Sequence, residues 1–333
     1  TNVGLYELTP FSKFELKGDD VYEELQKICT ANVKNDIGRC TYTQMLNSDG
    51  GIETDLTVIC ISENHYRVIG AAATRERDKF HIKKHINQNI ELTDVTDDYV
   101  CLGIFGPKSR ELMKDISGED FSNDNLRFGH SKNIKIENSN VWVQRLSYVG
   151  EVGYELYINN SEAKLIFNKI IDIGKKFNLS LCGAHAMDTL RMESGFLHWG
   201  HDISPEENQL EAGLNFAISF KKNYDFIGKQ ALLKIDKNKV KKKFIMLTLN
   251  NTKPGEPLAL HFEPIYIDGK ICGNTTSANY SFNYSKNLLF GYVSTDLKVE
   301  QLKEKKIQVE IEKVKYDASL LLKPLKDPKI KLN

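Results

Sequence analysis

The N-terminal two thirds of the chain alternate between helical and extended spacing of hydrophobic residues. Apolar side chains recur every three or four positions in four segments and every second position in others. The helices predicted are residues 19–32, 74–90, Ser161–Phe177 and Ala184–Ser194, and a strand is predicted at Tyr99–Phe105. Asp19 or Asp20 can cap the first helix, and Gly195 follows the last one where a C-terminal cap belongs.

Residues Cys40–Ile61 have the pattern of a β-hairpin, with β-branched residues on both sides of an Asn-Ser-Asp-Gly-Gly turn. If Asp49-Gly50 forms a two-residue turn, residues whose numbers sum to 99 face one another. Gln44 then opposes Asp55, and Tyr42 is a diagonal neighbour of Asp55 on the same face. A bulge of one residue in the turn would break this parity.

A second hairpin is predicted at Val141–Ile158, with its bend at Val149–Gly153. Hydrophobic and polar residues alternate along the strand that follows the bend. Glu151 therefore sits at a turn and not in a core.

The last third of the chain has the pattern of strands and turns only. The predicted strands are Phe244–Leu249, Pro264–Ile267, Lys270–Cys272, Leu289–Val293 and Ile307–Glu312. A lysine-rich stretch, Lys237–Lys243, marks the predicted boundary before them. We therefore expect two lobes within residues 1–236 and a small β-barrel domain over residues 240–330.

The overall composition is typical of a soluble globular protein. The 333 residues are 41% hydrophobic and 27% charged, and 45 Lys and Arg balance 45 Asp and Glu. Without a net field to attract nucleic acid or an anionic membrane, a small-molecule ligand is favoured. The first residues contain neither a signal peptide nor a membrane span, and the abrupt start suggests that an upstream segment could carry part of the chemistry.

Several common cofactor sites are not expected. Neither a G-x-G-x-x-G nor a G-x-x-x-x-G-K-[ST] sequence occurs. The six cysteines form no C-x-x-C pair, which favours reduced thiols in a reducing compartment. The histidine pairs His81/His85 and His198/His201 lack the neighbouring ligands of a metal signature, so no metal is expected.

Each acidic motif is unremarkable by itself. The segment Gly50–Leu56 could be a turn with solvated acids, Glu151 a solvent-facing acid, and Asp188 a helical i, i+3 partner of Arg191. The ordered set of motifs is more specific than any member. Its segments are Gly4–Gly18, Tyr42–Asn47, Gly50–Thr57, Ser147–Glu151, Trp199–Ile203, Leu210–Leu214, Asp225–Lys229 and Leu322–Pro328.

This set resembles the aminomethyltransferase (glycine cleavage T-protein) superfamily of tetrahydrofolate-binding proteins. The match is closer to the folate-binding C-terminal region of dimethylglycine and sarcosine dehydrogenases. The resemblance implies an α+β fold of three lobes around a central folate pocket, the last lobe being a β-barrel. One departure is Asn208-Gln209, which replaces the usual Thr-Pro and puts the local loop geometry in question.

The resemblance also implies roles for individual residues. Asp55 matches the catalytic acid, which would take a proton from the reacting amine of the folate. Glu151 matches the acid that accepts the paired N–H donors of the pterin. The cofactor-binding residues implied are Tyr42, Tyr148, Glu151, Arg191 and Trp199.

The implied reaction is capture of a methylene unit from an oxidised methylamine, of dimethylglycine or sarcosine type, to give 5,10-methylenetetrahydrofolate. FAD would enter only through an upstream domain or a partner chain. One alternative is a stand-alone aminomethyltransferase that takes its carbon from a lipoyl carrier protein, and others are a non-catalytic folate-binding module and a purely structural domain. The expected compartment is the cytoplasm, or the mitochondrial matrix in a eukaryote.

Overall fold

The computed structural model describes residues 3–236 and 239–327. Its helices are α1 (Val21–Ile28), α2 (Arg75–His85), α3 (Ser109–Ser117), α4 (Ala163–Gly174), α5 (Ala184–Glu193) and α6 (Lys229–Lys234). The strands before the barrel are β1 (Val3–Glu7), β2 (Ser12–Lys17), β3 (Cys40–Leu46), β4 (Ile52–Ser62), β5 (His65–Gly70), β6 (Glu91–Asp94), β7 (Tyr99–Phe105), β8 (Ser131–Ile136), β9 (Ser139–Gln144), β10 (Gly153–Asn159) and β11 (Leu179–Cys182). All four predicted helices and the strand at Tyr99–Phe105 are confirmed.

Two sheets form the N-terminal part. One has six strands in the order β11-β1-β7-β10-β9-β8, and the other has five in the order β3-β4-β5-β2-β6. Helices α3 and α4 cover the outer face of the first, and α1 with Ile82 of α2 covers the outer face of the second. The inner faces meet in an apolar layer that includes Ile59, Ile69, Cys101 and Tyr157. Alternation along each strand produces this arrangement, since one set of side chains faces the helices and the other the opposite sheet.

The first hairpin has the predicted pairing but a different turn. Gln44 pairs with Asp55, as expected. The turn is wider than the two residues predicted, because Asn47 accepts the backbone N–H of Gly51 on its side-chain oxygen at 2.9 Å. A bulge between Met45 and Leu46 then shifts the register by one residue. The wider turn and the bulge compensate, and Asp55 therefore faces the opposite sheet.

A closed barrel follows, in the order β12-β15-β14-β13-β16-β17. Its strands are β12 (Lys242–Leu249), β13 (Pro264–Ile267), β14 (Lys270–Ser281), β15 (Lys286–Ser294), β16 (Ile307–Ile311) and β17 (Val314–Leu321). The α+β class and the C-terminal β-barrel are confirmed, although β17 was not predicted and β14 is longer than expected. The boundary stretch Lys237–Lys243 includes residues 237–238, and the closing motif includes Pro328, all outside the described residues. The proposed division into domains therefore stays a prediction.

Helix α5 ends as the sequence indicates. Gly195 adopts φ 74°, a conformation that a residue with a side chain rarely takes. A Cβ at this position would lie 2.6 Å from the ring of Pro324, so the C-terminal segment packs against the end of the helix.

Two other properties bear on the kind of site to expect. Within residues 3–236 and 239–327, no helix is long and apolar enough to cross a membrane. The same residues include no group of three or more His, Cys, Asp or Glu placed to hold a metal ion. All six cysteines are free thiols.

Candidate functional site

Asp55 lies on β4 at one end of the layer between the two sheets. The amide Nε2 of Gln44 donates to Asp55 Oδ1 at 2.6 Å. Burial raises the pKa of Asp55 to about 6, although hydrogen bonds from Gln44 and from the hydroxyl of Tyr42 lower it in part. An acid with this pKa is ionised at neutral pH and is a much better proton acceptor than an ordinary aspartate.

Gln44 is itself held by Gln209, which the sequence reasoning missed as a site residue. Gln209 Nε2 donates to Gln44 Oε1 at 2.5 Å and lies 3.0 Å from Thr30 Oγ1, and both glutamines are fully buried. Because an ionised Asp55 can only accept, Gln44 must present its NH₂ to Asp55 and its oxygen to Gln209. The sequence signal is Asn208-Gln209 itself, which departs from the usual Thr-Pro and predicts only a difference in loop geometry.

Tyr42 and Tyr148 lie beside Asp55. Burial and then the charge of Asp55 raise the pKa of Tyr42 well above its ordinary value, yet 39% of this residue is exposed. Such a combination is typical of the wall of a concave site. Burial also raises the pKa of Tyr148. The charge of Arg191 lowers this pKa in part, and the charges of Asp202 and Asp55 raise it further. The structure therefore brings Asp55, Tyr42 and Tyr148 together.

Aromatic rings flank both tyrosines. Tyr42 stacks with Phe216 at 6.1 Å between ring centroids and an interplanar angle of 20°, and Phe216 is 76% exposed. Tyr148 stacks with Phe196 at 6.1 Å and donates its hydroxyl to the carbonyl of Leu197 at 2.7 Å. Phe216 is a second candidate that the sequence reasoning did not name.

Glu151 lies at the bend between β9 and β10, as predicted. Its Oε1 is 2.7 Å from Nζ of Lys326, and the backbone N–H of Lys326 donates to the carbonyl of Glu193 at 2.8 Å. Gly150, at φ 70°, lets the hairpin tip pack closely against the end of α5. A Cβ at this position would lie 2.0 Å from Ser194 Oγ. The C-terminal segment thus crosses the hairpin tip and orients Glu151.

Arg191 lies behind the site and has no exposed surface. Its Nε donates to Asp188 at 2.8 Å, Nη1 to Asp202 at 2.5 Å and Nη2 to Ser277 of the barrel at 2.7 Å. Burial alone would lower the pKa of Arg191, but the charge of Asp202, followed by smaller contributions, raises it. Arg191 therefore joins α5 to the barrel. Its contact with folate stays a prediction, which the complete burial of the Arg191 side chain does not favour.

Trp199 lies next to the start of β4. Its indole Nε1 donates to the carbonyl of Ile52 at 3.1 Å, three residues before Asp55. The guanidinium of Arg77 lies 5.2 Å from the ring centroid. Trp199 therefore contacts the backbone of the strand that carries Asp55, while its predicted contact with the cofactor stays a prediction.

Two facing sheets followed by a closed C-terminal barrel define an α+β fold, and two family models identify the family to which it belongs. The chain belongs to the glycine cleavage T-protein family. Residues 1–222 match the GCVT N-terminal domain and residues 242–327 match the glycine cleavage T-protein C-terminal barrel domain.

Individual relatives agree with this assignment. The chain is 34% identical over 328 residues to the mitochondrial dimethylglycine dehydrogenase of Homo sapiens, covering 97% of this chain and 37% of the relative. It is 32% identical to 4-methylaminobutanoate oxidase (formaldehyde-forming) of Paenarthrobacter nicotinovorans, covering 98% and 39%. It is also 32% identical to the aminomethyltransferase of Halothermothrix orenii, covering 88% and 80%.

Among solved structures, the glycine cleavage system aminomethyltransferase T from Bartonella henselae superposes with a TM-score of 0.87 at 21% identity, over 98% of this chain and 87% of that one. This match confirms the predicted fold. The prediction of an enzyme is confirmed, because the family is that of the tetrahydrofolate-binding aminomethyltransferases. The chain spans less than two fifths of the length of the oxidase and dehydrogenase relatives.

Proposed function

We propose that this chain binds tetrahydrofolate and transfers to it a one-carbon unit from an oxidised methylamine of dimethylglycine or sarcosine type. The product is 5,10-methylenetetrahydrofolate. The observation that carries the proposal is Asp55, a half-buried carboxylate with a raised pKa, held by Gln44 beside two tyrosines.

Tetrahydrofolate supplies the amine nitrogens that capture the carbon. As a carbon–nitrogen bond forms, the nitrogen loses a proton, and Asp55 is the acceptor that we assign. Its raised pKa strengthens it as a base, and general-base assistance of this kind is worth about 10² to 10⁴ in rate. While ionised, Asp55 also stabilises a cationic iminium donor by charge.

The other residues fit a reduced folate. Glu151 is a carboxylate that can accept two neighbouring N–H groups side by side, and Lys326 fixes its orientation. The exposed ring of Phe216, stacked with Tyr42, offers a flat apolar face to a planar ring system. We assign Tyr42, Tyr148 and Glu151 to folate binding, whereas Gln44, Gln209 and Arg191 position the residues that make contact.

The oxidation that generates the iminium belongs, in this proposal, to a flavin-containing dehydrogenase domain or subunit. The sequence similarity to dimethylglycine dehydrogenase and 4-methylaminobutanoate oxidase supports this assignment. A second candidate function is that of an aminomethyltransferase working with a lipoyl carrier protein. The Halothermothrix orenii relative supports it, since 80% of that protein is matched.

The two functions differ in their substrates and products. To distinguish them, the protein expressed from its full gene is incubated with tetrahydrofolate and one donor at a time. The donors are dimethylglycine, sarcosine and an aminomethyl-lipoyl carrier protein. We expect 5,10-methylenetetrahydrofolate with the methylated amino acids, and no release of ammonia from the carrier. Ammonia release without demethylation would favour the second function, and no product from any donor would exclude both.

A further inference from the structure

Two arginines converge on the ring of His130 near the start of β3. Nε of Arg127 lies 3.1 Å from Nε2 of His130, and Nη1 of Arg39 lies 3.4 Å from Nδ1 of the same ring. We call these three side chains the Arg39–Arg127 cluster. Arg39 is five residues before Gln44, the partner of Asp55, which is a separation of about 16 Å at 3.3 Å per residue. The cluster is therefore distinct from the Asp55 site, and the proposed function assigns it no role.

Backbone hydrogen bonds hold the cluster in place. Arg39 and His130 pair as an isolated antiparallel bridge between the ends of β3 and β8, which belong to different sheets. The next backbone N–H, that of Cys40, donates to the carbonyl of Gly129 at 2.9 Å. Gly129 also leaves room for the guanidinium, because a Cβ there would lie 3.4 Å from Nη1 of Arg39. The backbone positions from which Arg39 and His130 extend are thus fixed without a ligand.

The hydrogen-bonding roles of His130 follow from its neighbours. A guanidinium can only donate, so Nε2 of His130 accepts from Arg127. Nδ1 then carries the hydrogen and donates to the carbonyl of Phe128 at 3.2 Å. Burial lowers the pKa of His130, as do the charges of Arg127 and Arg39, while the hydrogen bond to Phe128 opposes them. A neutral ring agrees with these roles, and Nη1 of Arg39 therefore faces a donor instead of an acceptor.

The two positive charges are open to solvent and lack counter-ions. In the part of the chain that the structure describes, neither Arg39 nor Arg127 forms an ion pair. Asp36 contributes one negative charge near the ring, so the cluster keeps a net positive charge. Arg127 is exposed and Arg39 is half-buried. None of their guanidinium nitrogens is among the buried, unpartnered atoms of residues 3–236 and 239–327, so their free N–H groups are accessible.

The spacing of the two guanidiniums suits a tetrahedral oxyanion. Their contacting nitrogens are at most about 9 Å apart, because both lie within 3.4 Å of one imidazole whose nitrogens are about 2 Å from each other. An oxyanion that accepts from one arginine on each side spans about 8 Å, at about 2.8 Å per hydrogen bond. Guanidinium groups match phosphate geometry well, and a dianion offsets both cations whereas a monocarboxylate offsets one.

We propose that the Arg39–Arg127 cluster binds a phosphate group, which accepts hydrogen bonds from both arginines while His130 holds them apart. The phosphate group belongs either to the free ion or to a small phosphorylated molecule, since both present the same dianion. The affinity is modest, with a Kd of about 1 to 10 mM, because the site is open to solvent and water screens the charges.

The chain has eight histidines, which makes a direct NMR test possible. The Cε1–H signal of His130, identified with His130→Gln, is followed during titration with sodium phosphate, glycerol 3-phosphate and acetate at constant ionic strength. It should shift saturably with both phosphates and bind acetate at least about fivefold more weakly. The phosphate with the lower Kd identifies the preferred source of the group. No saturable shift at about 50 mM phosphate would overturn the proposal, and so would tighter binding of acetate.

Single substitutions separate this site from a general effect of charge. Arg39→Gln and Arg127→Gln each remove one of the two cations and should raise the Kd for phosphate at least about fivefold. Lys164→Gln removes the same charge from an exposed position on α4 and should leave the Kd unchanged. Equal effects of the three variants would contradict the site. All three should bind tetrahydrofolate as the parent does, so a failure here is separable from a failure of the proposed function.

Discussion

Gln44 and Asp55 face each other across the β3–β4 hairpin, with the amide nitrogen of one 2.6 Å from the carboxylate oxygen of the other. This contact fixes the direction of a short hydrogen-bonded series, because a carboxylate cannot donate. Gln209 completes the series from a segment 165 residues away along the chain. The acid assigned to proton transfer is therefore positioned by two buried amides.

Replacing the acid should separate chemistry from binding. Asp55→Asn keeps the size of the side chain and the hydrogen bond from Gln44 but removes the base. We expect the transfer rate to fall by about 10² to 10⁴, with calorimetric affinity for tetrahydrofolate within about twofold of the parent. Asp124→Asn, on an exposed loop, is the control and should change neither quantity. An active Asp55→Asn protein would remove the assigned role.

The same substitution should stabilise the fold above neutral pH. The pKa of Asp55 is raised to about 6 from an ordinary 3.8. The folded state therefore binds the proton more tightly, and stability is lost as pH rises through that interval. Asp55→Asn should increase the free energy of unfolding by about 1 to 3 kcal/mol at pH 8 and have little effect at pH 4. Urea denaturation at the two pH values measures this, and equal effects at both would contradict the burial argument.

Gln209 should influence the pH profile without contacting the ligand. In Gln209→Met the oxygen of Gln44 loses its donor, so the amide holds Asp55 less firmly and the pKa of Asp55 rises. We expect the midpoint of the rate against pH to move upward by about 0.5 to 1 unit, with KM for folate unchanged. Gln308→Met removes an amide bonded to a carboxylate on the barrel surface and should leave the midpoint in place. A change in stability alone would show that Gln209 is merely structural.

Glu151 should control folate affinity. Glu151→Gln removes a charge-assisted hydrogen bond, and we expect tetrahydrofolate to bind about 10- to 100-fold more weakly by calorimetry. Lys326→Met should give a smaller loss, because it removes only the orienting partner. Glu137→Gln is matched as another hairpin acid paired with a lysine, Lys169, and should bind as the parent does. Unchanged affinity in Glu151→Gln would exclude the assignment.

Arg191 should matter chiefly for stability. Arg191→Met leaves Asp202 buried without its cation and removes the link to Ser277 of the barrel. Breaking a buried pair in this way costs about 3 to 5 kcal/mol, which chemical denaturation can measure. Arg191→Lys keeps the charge but not the several directed bonds, so we expect a smaller loss. A loss below about 1 kcal/mol in Arg191→Met would show that the pair does not hold the barrel in place.

Local sequence patterns predicted most of the elements. Helix α5 and its cap at Gly195 follow from spacing and from a conformation that glycine adopts easily. The prediction that Gln44 pairs with Asp55 is correct, although it assumed a two-residue turn and no bulge. The wider turn shifts the register by one residue and the bulge shifts it back. Strand β17 escaped prediction because its charged residues weaken the alternation of a barrel strand.

The sequence by itself predicted the two hairpins, helices α1, α2, α4 and α5 and the acids that resemble a folate site, because each depends on neighbours within a few residues. Only the tertiary structure decided which distant side chains serve those acids. Gln209 reaches Gln44, and Lys326 reaches Glu151, because the chain returns to the hairpins from far along its length. Such contacts depend on how whole sheets and segments pack, and no local spacing encodes them.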